Sequence, residues 1–561
     1  MSSGTQVAGG RVRRAINGFI QKLVGSGKLG TNESQSQIKQ RIARLGMTQR
    51  QQDLNWLWAW YRTQHYETRR CDWDGRQNLD PIEHEAVATA GFLPPGFYDA
   101  GASLPIKFRR PKAPYALPKV IVDRFTGLLF SERHHPQIRC EGDPLTEDFI
   151  ASVVEEARLW AAMIQARAHG GGMGTACIGF QFVDGKPVVE VHDPRWCEPV
   201  FKDRLSQKLR SVEIRYIYTE QVKDQATGLS EPVDFWHRRI IDEFKDTLYA
   251  KVPVGDGSEP EWETVERREV THNFGFCPVY WVQNLPVQDD IDGDPDCQGV
   301  YEIIESMDSL LSQAMKGTLA NCDPTVVITT KETLGEIRKG SDNALKIPDG
   351  DAKYMEMSGS GIERAMEQVD VLRRFALEVA QCVLEHPDQA KKTATEIERS
   401  FASMLAKSDV MREQYGEKGI KPMVLDMVAA AKKLAEGAPN AEGVIEKQVL
   451  KLPPKVVKTP TGTMQTEHKL GPGGVLKLQW PHYFDPVLTD VVAATTAAST
   501  AKMAGVIDDE HASKFVAEYF GVEDVPAMMK KIKAEAAEKE NQMTQSMMSS
   551  LGGSMGGRMG M

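Results

Sequence analysis

Three aspartates that alternate along one short segment have the types and spacing of metal ligands. Asp290, Asp292 and Asp294 lie in DDIDGDPDCQG, residues 289–299, spaced like the first three ligands of an EF-hand. An EF-hand also needs Gly at its sixth position and Glu at its twelfth, where this chain has Pro295 and Tyr301. Pro holds φ at about −65° and Tyr supplies no carboxylate. We therefore interpret the segment as a solvated acidic turn, with calcium binding as the weaker alternative.

A histidine followed by three glycines is a second candidate site. The segment HGGGMG, residues 169–174, is similar to the motif whose backbone N–H groups stabilise the oxyanion in lipases. A serine hydrolase also needs G-x-S-x-G at a strand-to-helix turn, and the matching sequence GGSMG lies at 552–556, inside a Gly/Met/Ser-rich tail. A helix end followed by a tight turn explains the glycines better. A hydrolase that uses residues 170–174 remains an alternative.

Three further patterns of residues that could bind phosphate or metal lack the spacing that such sites require. GSGKLG at 25–30 has Lys22 where a phosphate loop needs its first Gly, and Leu29 where it needs Ser or Thr. His134 and His135 are adjacent, so on an extended chain they point to opposite sides, and a surface turn is the better interpretation. The eight cysteines form no C-x-x-C pair, which favours reduced, buried thiols. We predict no metal, no cofactor and no enzymatic activity.

The composition is that of an ordinary globular protein. The chain has 561 residues, 41% hydrophobic and 26% charged, enough for two to four domains of about 150 residues each. No apolar run approaches the roughly 20 residues of a transmembrane helix, so we predict a soluble protein without membrane contact. The net charge of −10 argues against coating nucleic acid by bulk electrostatics. The first thirty residues contain five Lys and Arg and no acid, which predicts a flexible basic arm.

Hydrophobic periodicity predicts a helical start, a β-rich middle and a helical end. Helices are predicted over 35–66 and 114–131, and from Thr146 as N-cap to the glycines at 170–174. From there to about residue 285, short runs rich in β-branched and aromatic residues predict an antiparallel sheet. The segments VLKLQWP and DPTVVITT predict further strands. Helices 486–504 and 508–520 follow, the second capped by Asp508 and burying Phe515, Tyr519 and Phe520.

Two amphipathic helices bracket a small module. The first covers 299–322, with an apolar stripe that includes Ile304, Met307 and Met315. The second runs from Ile362 to Glu385. A third helical stretch opens at a Thr393 capping box and is predicted to kink at its internal Gly and Pro residues, before it stops at Gly437. The stripe on the second helix comprises Ile362, Met366, Val369, Leu372, Ala376, Val379 and Val383.

This order of elements resembles the portal protein of tailed bacteriophages. The resemblance covers roughly residues 40–530 and rests on LPKVIVDRFTGLLF, DGKPVVEVHDPRWCEPVF, FGFCPVYWVQN and GVYEIIESMDSLLSQ, followed by the segment LQWPHYFDPVL with the helices after it. It implies an α+β portal fold with a helical and β wing, a two-helix stem, a small α/β clip and a helical crown. The acidic turn would be the hinge from wing into stem.

The resemblance also implies a division of the chain. The expected parts are the basic arm 1–34, wing 35–290, first stem helix 291–322, clip 323–358, second stem helix 359–385, tunnel loop 386–393, long kinked wing helix and wing strands 394–485, crown helices 486–540 and disordered tail 541–561.

The implied function is a dodecameric ring at one capsid vertex through which double-stranded DNA is packaged and ejected. The resemblance makes Lys391 and Lys392 the expected DNA-facing residues of the tunnel loop, and gives the apolar stripe a role in packing and assembly. Expected partners are other copies of the chain, the large terminase, head-tail adaptor proteins, and the major capsid and scaffolding proteins. The expected location is the virion, with assembly in the host cytoplasm. A monomeric helical adaptor is a further alternative.

Overall fold

The computed structural model describes residues 48–66, 110–203, 208–223, 230–254, 260–288, 290–322, 325–330, 350–355, 359–384, 394–439, 445–446, 452, 455–459, 462–466, 470–483, 488–519, 528–535 and 538. Within them the chain is a mixed helical and β protein, as predicted. The predicted arm, tunnel loop and tail lie outside the described residues. Contacts divide the chain into one unit of residues 1–383 with 403–481 and a second unit of 384–402 with 482–561.

Most helices occur where periodicity predicts them, with small shifts at their ends. Thr48 caps the first helix in a capping box with Gln51. The described helices are Gln49–Tyr61 (α1), Leu117–Phe130 (α2), Pro144–Glu156 (α3), Leu159–Met173 (α4), Tyr301–Cys322 (α5), Ser360–Val379 (α6), Ala394–Glu413 (α7), Lys421–Glu436 (α8), Leu488–Met503 (α9) and Asp509–Tyr519 (α10).

Every strand pairing among the described residues is antiparallel, as predicted for the middle of the chain. The strands are Gln137–Glu141 (β1), Thr175–Val183 (β2), Lys186–His192 (β3), Cys197–Phe201 (β4), Leu209–Lys223 (β5), Ser230–Asp242 (β6), Lys245–Tyr249 (β7), Val252–Pro253 (β8), Arg267–Thr271 (β9), Val279–Gln283 (β10), Thr325–Thr330 (β11), Gly350–Met355 (β12), Ala438–Pro439 (β13), Ile445–Glu446 (β14), Lys455–Thr459 (β15), Gly462–Thr466 (β16) and Val475–Gln479 (β17). The two longest strands, β5 and β6, have 15 and 13 residues.

The strands form two larger sheets and several hairpins. One sheet has the order β10-β2-β3, and the other has the order β4-β5-β6-β7-β9, with β8 beside β6. Side chains from both sheets meet in a single core cluster, where Val212 and Ile214 of β5 join Trp281 of β10. The pair β1-β17 joins residues more than 300 apart in sequence, so the strand predicted from VLKLQWP closes the first unit.

Helices α3 and α4 replace the single helix predicted from Thr146. The chain breaks between them at Arg158, whose φ is 49°. The N-cap is Asp143 rather than Thr146, because the Asp143 carboxylate accepts bonds from the backbone N–H groups of Leu145 and Thr146. The predicted cap at Thr146 is therefore wrong. The predicted stop within the glycines at 170–174 is confirmed, because the helix ends at Met173 and its C-cap is Gly174, whose φ is 94°.

The third helical stretch is irregular where a kink or break was predicted, but it does not break. Between α7 and α8 the chain forms a π-helical segment, Gln414–Ile420, that contains both internal glycines. The backbone N–H of Lys421 bonds the carbonyl oxygen of Gly416 across the wider π-helical turn, and Pro422 follows as the second residue of α8. Gly437, with φ of 90°, ends α8 as predicted.

In the second unit, α9 and α10 pack together across a turn at Gly505. Asp508 accepts the backbone N–H of His511 at 2.8 Å, which confirms the predicted cap. The buried residues are small ones such as Ala498 and Ala512. Phe515 is exposed, so its predicted burial is wrong; Tyr519 and Phe520 have no described side chain.

A candidate assembly and channel surface

Helices α5 and α6 form an antiparallel pair. A Cβ added to Gly317, near the end of α5, would lie 3.2 Å from Cγ1 of Ile362 at the start of α6. At the opposite end of the pair, Gly299 precedes α5 and lies beside Val379 at the end of α6. The hairpin β11-β12 follows α5 and precedes α6 in the chain. The sequence thus predicted both helices and the strand between them, and α6 ends at Val379 rather than at Glu385.

The early end of α6 has a backbone cause. Gln381 adopts φ of 53°, which the α-helix does not allow, and the N–H of Cys382 returns to the carbonyl oxygen of Leu377. Ala380 and Cys382, on either side of Gln381, are both buried.

The predicted stripe on α6 is only partly covered within one chain. Val369 and Ala376 are buried, at 7% and 0% exposure. At helical spacing they lie on the same side of α6 as Ile362, which lies beside Gly317 of α5. Ile362 and Leu372 are half-buried. Met366 and Val379 are exposed, because a single partner helix covers only one side of α6.

Exposed apolar side chains continue around the helix pair. Phe375 on α6 is 52% exposed, and Met315 and Leu319 on α5 are exposed one turn apart. Taken at about 100° per residue, Met366 lies some 80° to one side of Ala376 and Phe375 lies about 100° to the other side. The pair therefore presents apolar groups on two opposite flanks.

The side of α6 that faces away from its covered line is acidic. Glu363, Glu367, Asp370 and Glu378 recur at helical spacing with Arg374 among them, and all of these side chains are exposed. This acidic stripe would repel phosphate groups.

The acidic turn that leads into α5 is tied to the protein interior, so the expectation of a solvated turn is wrong: Asp296 is buried and Asp292 is paired with Arg50. The Arg50 guanidinium of α1 binds both carboxylate oxygens of Asp292, at 2.5 and 2.8 Å, and also donates to the carbonyl oxygen of Cys197 at 2.9 Å. Trp281 Nε1 donates to the carbonyl oxygen of Ile291 at 2.9 Å. Burial raises the pKa of Asp294. Arg50 thus supplies a positive charge beside Asp292.

Asp296, at the end of that turn, is the centre of a buried polar network. Arg167 of α4 is completely buried and donates from Nη2 to Asp296 Oδ2 at 2.6 Å. Asn284 donates to the other carboxylate oxygen at 2.9 Å and faces the hydroxyl of Tyr415 at 3.3 Å. Tyr415 lies in the π-helical segment, and burial raises its pKa. The network joins α4, the residue after β10, the acidic turn and the π-helical segment.

Lys407 of α7 connects this network to α6. Its Nζ donates to the carbonyl oxygen of Asp296 at 3.0 Å and to that of Ala380 at 2.8 Å. The ammonium also lies 4.9 Å from the centre of the Phe125 ring. Burial lowers the pKa of Lys407, and the nearby Asp296 opposes that shift. The sequence did not indicate that Arg167 and Lys407 are buried, because a single cation in an amphipathic helix is usually a solvated side chain.

The glycine run packs against this network. A Cβ on Gly170 would overlap the Tyr415 hydroxyl, and Gly174, with φ of 94°, lies against the carbonyl of Gly293. His169 meets the Trp58 ring edge-on, and burial lowers its pKa. Close packing therefore explains the glycines without a hydrolase, and Ser554 lies outside the described residues.

The other sequence patterns have structural explanations where they are described. His134 binds Ser131 in a turn and His135 stacks on Trp160, as the turn interpretation predicts. The described cysteines are free and buried except Cys322, which is exposed, contrary to expectation. The described part of the chain contains no group of three or more His, Cys, Asp or Glu that could hold a metal. Nor does it contain a helix long and apolar enough to cross a membrane.

Lys391 and Lys392, the predicted DNA-facing residues, lie outside the described residues, so their role stays a prediction. The described chain ends before them at Leu384 and resumes at Ala394.

A comparison with protein-family models agrees with the resemblance seen in the sequence. The family model described as phage portal protein, SPP1 Gp6-like, matches residues 103–542. No curated protein matches the chain. A chain in the solved structure titled "Virion of native gene transfer agent (GTA) particle" is similar with 12% identity and a TM-score of 0.32, over 72% of this chain and 90% of that one.

Proposed function

The chain belongs to the phage portal proteins, SPP1 Gp6-like, and from this premise we propose that it forms a dodecameric ring whose axial channel carries double-stranded DNA. The family is structural and non-enzymatic, and membership implies a capsid-associated oligomeric ring of a virion. The observation that carries the proposal is the helix pair α5–α6, whose apolar side chains are left uncovered in the single chain.

The two exposed flanks of the pair suit a ring. In a closed ring each subunit contacts two neighbours through different surfaces, so two distinct patches are needed on each copy. Met366 on one flank and Phe375 with Val379 on the other provide them. Because about half of each side chain is already covered in the single chain, burying the rest against neighbouring subunits would contribute roughly 1 kcal/mol for each side chain.

The acidic stripe of α6 suits a channel lining. A moving DNA duplex must not be held by strong phosphate contacts, because each one that forms has to be broken for the duplex to advance. Glu363, Glu367, Asp370 and Glu378 would face the duplex and repel it weakly. The few cations that guide the DNA would then be Arg374 within the stripe and Lys391 and Lys392 in the tunnel loop.

The remaining parts of the chain would contact other components of the particle. We propose that the clip, which contains β11 and β12, engages the large terminase and later a head-tail adaptor protein. The wing and the crown, which contains α9 and α10, would contact the major capsid and scaffolding proteins. The ring would sit at one capsid vertex after assembly in the host cytoplasm.

Native mass spectrometry with electron microscopy of the purified protein tests the ring. A dodecamer of the 62.4 kDa chain has a mass of about 749 kDa, and its images should show an axial hole. A chain that stays monomeric at every salt and protein concentration would favour the adaptor alternative.

Phe375→Asp should leave the protein monomeric where the wild-type chain forms rings, because ring formation would bury the new charge between subunits. Its circular dichroism spectrum should match that of the wild-type protein. Phe244→Asp is the matched control, since Phe244 is 54% exposed but lies in the turn between β6 and β7. Val369→Asp should instead unfold the helix pair, because Val369 is buried within one chain. Unimpaired rings from Phe375→Asp would refute this flank as an interface.

A further inference from the structure

The C-terminal end of α6 is fixed by side chains that come from α7. Lys407 Nζ bonds the carbonyl oxygen of Ala380, one of the last carbonyls of α6, which has no partner further along the helix. Three residues later the N–H of Val383 points at Met404 Sδ, at 3.3 Å. Cys382 lies between these two contacts and is buried, at 3% exposure.

The same lysine also fixes the start of α5. Its second bond goes to the carbonyl oxygen of Asp296, four residues before Val300, whose carbonyl accepts the first backbone bond of α5. Asp296 is itself held by Arg167 and Asn284. One ammonium group therefore joins the end of α6, the turn before α5 and the core of the first unit.

We propose that Lys407 is the positioning residue that locks the C-terminal end of α6 to the turn before α5, so that the two helices move as one body. An ammonium suits this role because it donates to two carbonyl oxygens from different segments at once. If the helix pair lines the DNA channel, any movement of one helix would then also move the other. That consequence rests on the proposed function, whereas the lock itself does not.

Thiol labelling of Cys382 tests the lock in the full chain. Purified protein is treated with N-ethylmaleimide, and labelling of each cysteine is followed by peptide mass spectrometry. Lys407→Met keeps most of the side-chain length but removes the donors, and it should speed labelling of Cys382 by about tenfold or more, through opening of the segment after α6. Lys407→Arg keeps charge and donors and should restore most of the protection.

Internal controls separate the lock from general stability. Exposed Cys322 should react equally fast in every variant, and Cys177 and Cys277 in the sheet core should stay protected. Lys421→Met removes a lysine of the same long helical stretch that pairs with Glu417 at the surface, and should leave Cys382 unchanged. Unchanged labelling of Cys382 in Lys407→Met would overturn the lock. Equal acceleration at Cys177 and Cys277 would also overturn it, by making Lys407 a general stabiliser.

Hydrogen exchange of the wild-type protein gives a second test if Lys407→Met fails to fold. Backbone amides of residues 380–383 and 298–304 should share one level of protection, because the lock makes them open together. Exchange at 380–383 more than about tenfold faster than at 298–304 would refute the proposal. Neither readout needs a ring, so a failure of the assembly experiment leaves this result interpretable.

Discussion

His192 shows how much a single residue depends on its surroundings. It ends β3 and pairs with Cys177 of β2, with its side chain 11% exposed between Glu190 and the charges around Arg239. Burial lowers its pKa to about 4, against an ordinary value of 6.5. The folded protein therefore holds His192 neutral through a pH range in which the unfolded chain takes up a proton.

This difference predicts acid sensitivity. Below pH 6.5 the unfolded chain binds a proton that the folded chain refuses until about pH 4, so stability falls as pH falls across that window. Between pH 7 and pH 5 the loss from this histidine should be about 2 kcal/mol. Urea unfolding at the two pH values measures it, and His192→Gln should show a smaller loss. An equal loss in both proteins would mean that His192 is protonated in the folded state.

At the scale of elements, α4 and the π-helical segment pack closely against each other. The wider turn brings Tyr415 against Gly170, where no side chain fits, and its hydroxyl reaches Asn284. The Arg167–Asp296 pair lies beside them in the same buried network. The π-helical segment thus places the Tyr415 side chain in the core.

This fit predicts a compensating pair of substitutions. Gly170→Ala should destabilise the protein by about 1–3 kcal/mol, because the new methyl overlaps the Tyr415 hydroxyl. Tyr415→Phe removes that hydroxyl and should itself cost about 1 kcal/mol through the lost bond to Asn284. The double variant should be more stable than the sum of the single effects predicts. Purely additive unfolding energies would show that the hydroxyl is not what excludes the methyl.

At the scale of the whole molecule, the proposed channel needs acidic groups that repel the DNA phosphates and a few cations that guide the duplex. The acidic stripe of α6 would supply the repulsion. Arg374 and the two lysines of the predicted tunnel loop would supply the guidance, through contacts weak enough to break as DNA advances.

Replacing both Lys391 and Lys392 by Ala should leave rings intact and impair retention or packaging of DNA, most clearly at low salt. Particle assembly and packaged DNA are measured in the same preparation, with Lys251→Ala as the control, since Lys251 is an exposed lysine between β7 and β8, outside both the tunnel loop and the clip. Normal packaging in the double variant would refute the tunnel-loop assignment.

Sequence periodicity predicted the element types well and their ends less well. The two long amphipathic helices, the β-rich middle and the stop at Gly437 all appear, because patterning and glycine chemistry act locally. The break at Arg158, the early end of α6 at Gln381 and the π-helical segment were missed. Each depends on what the chain packs against, which local residue order does not contain.

What the sequence alone determined is the portal resemblance, the order of helices and strands, and the lack of a complete catalytic motif. These follow from residue types at short spacing. Only the tertiary structure decided which stripe residues are covered, why the glycines of 169–174 are there, and that Arg167 and Lys407 are buried. The reason is physical: burial of a charge is tolerable only beside partners such as Asp296 that lie more than 100 residues away in sequence, and only folding brings them into contact.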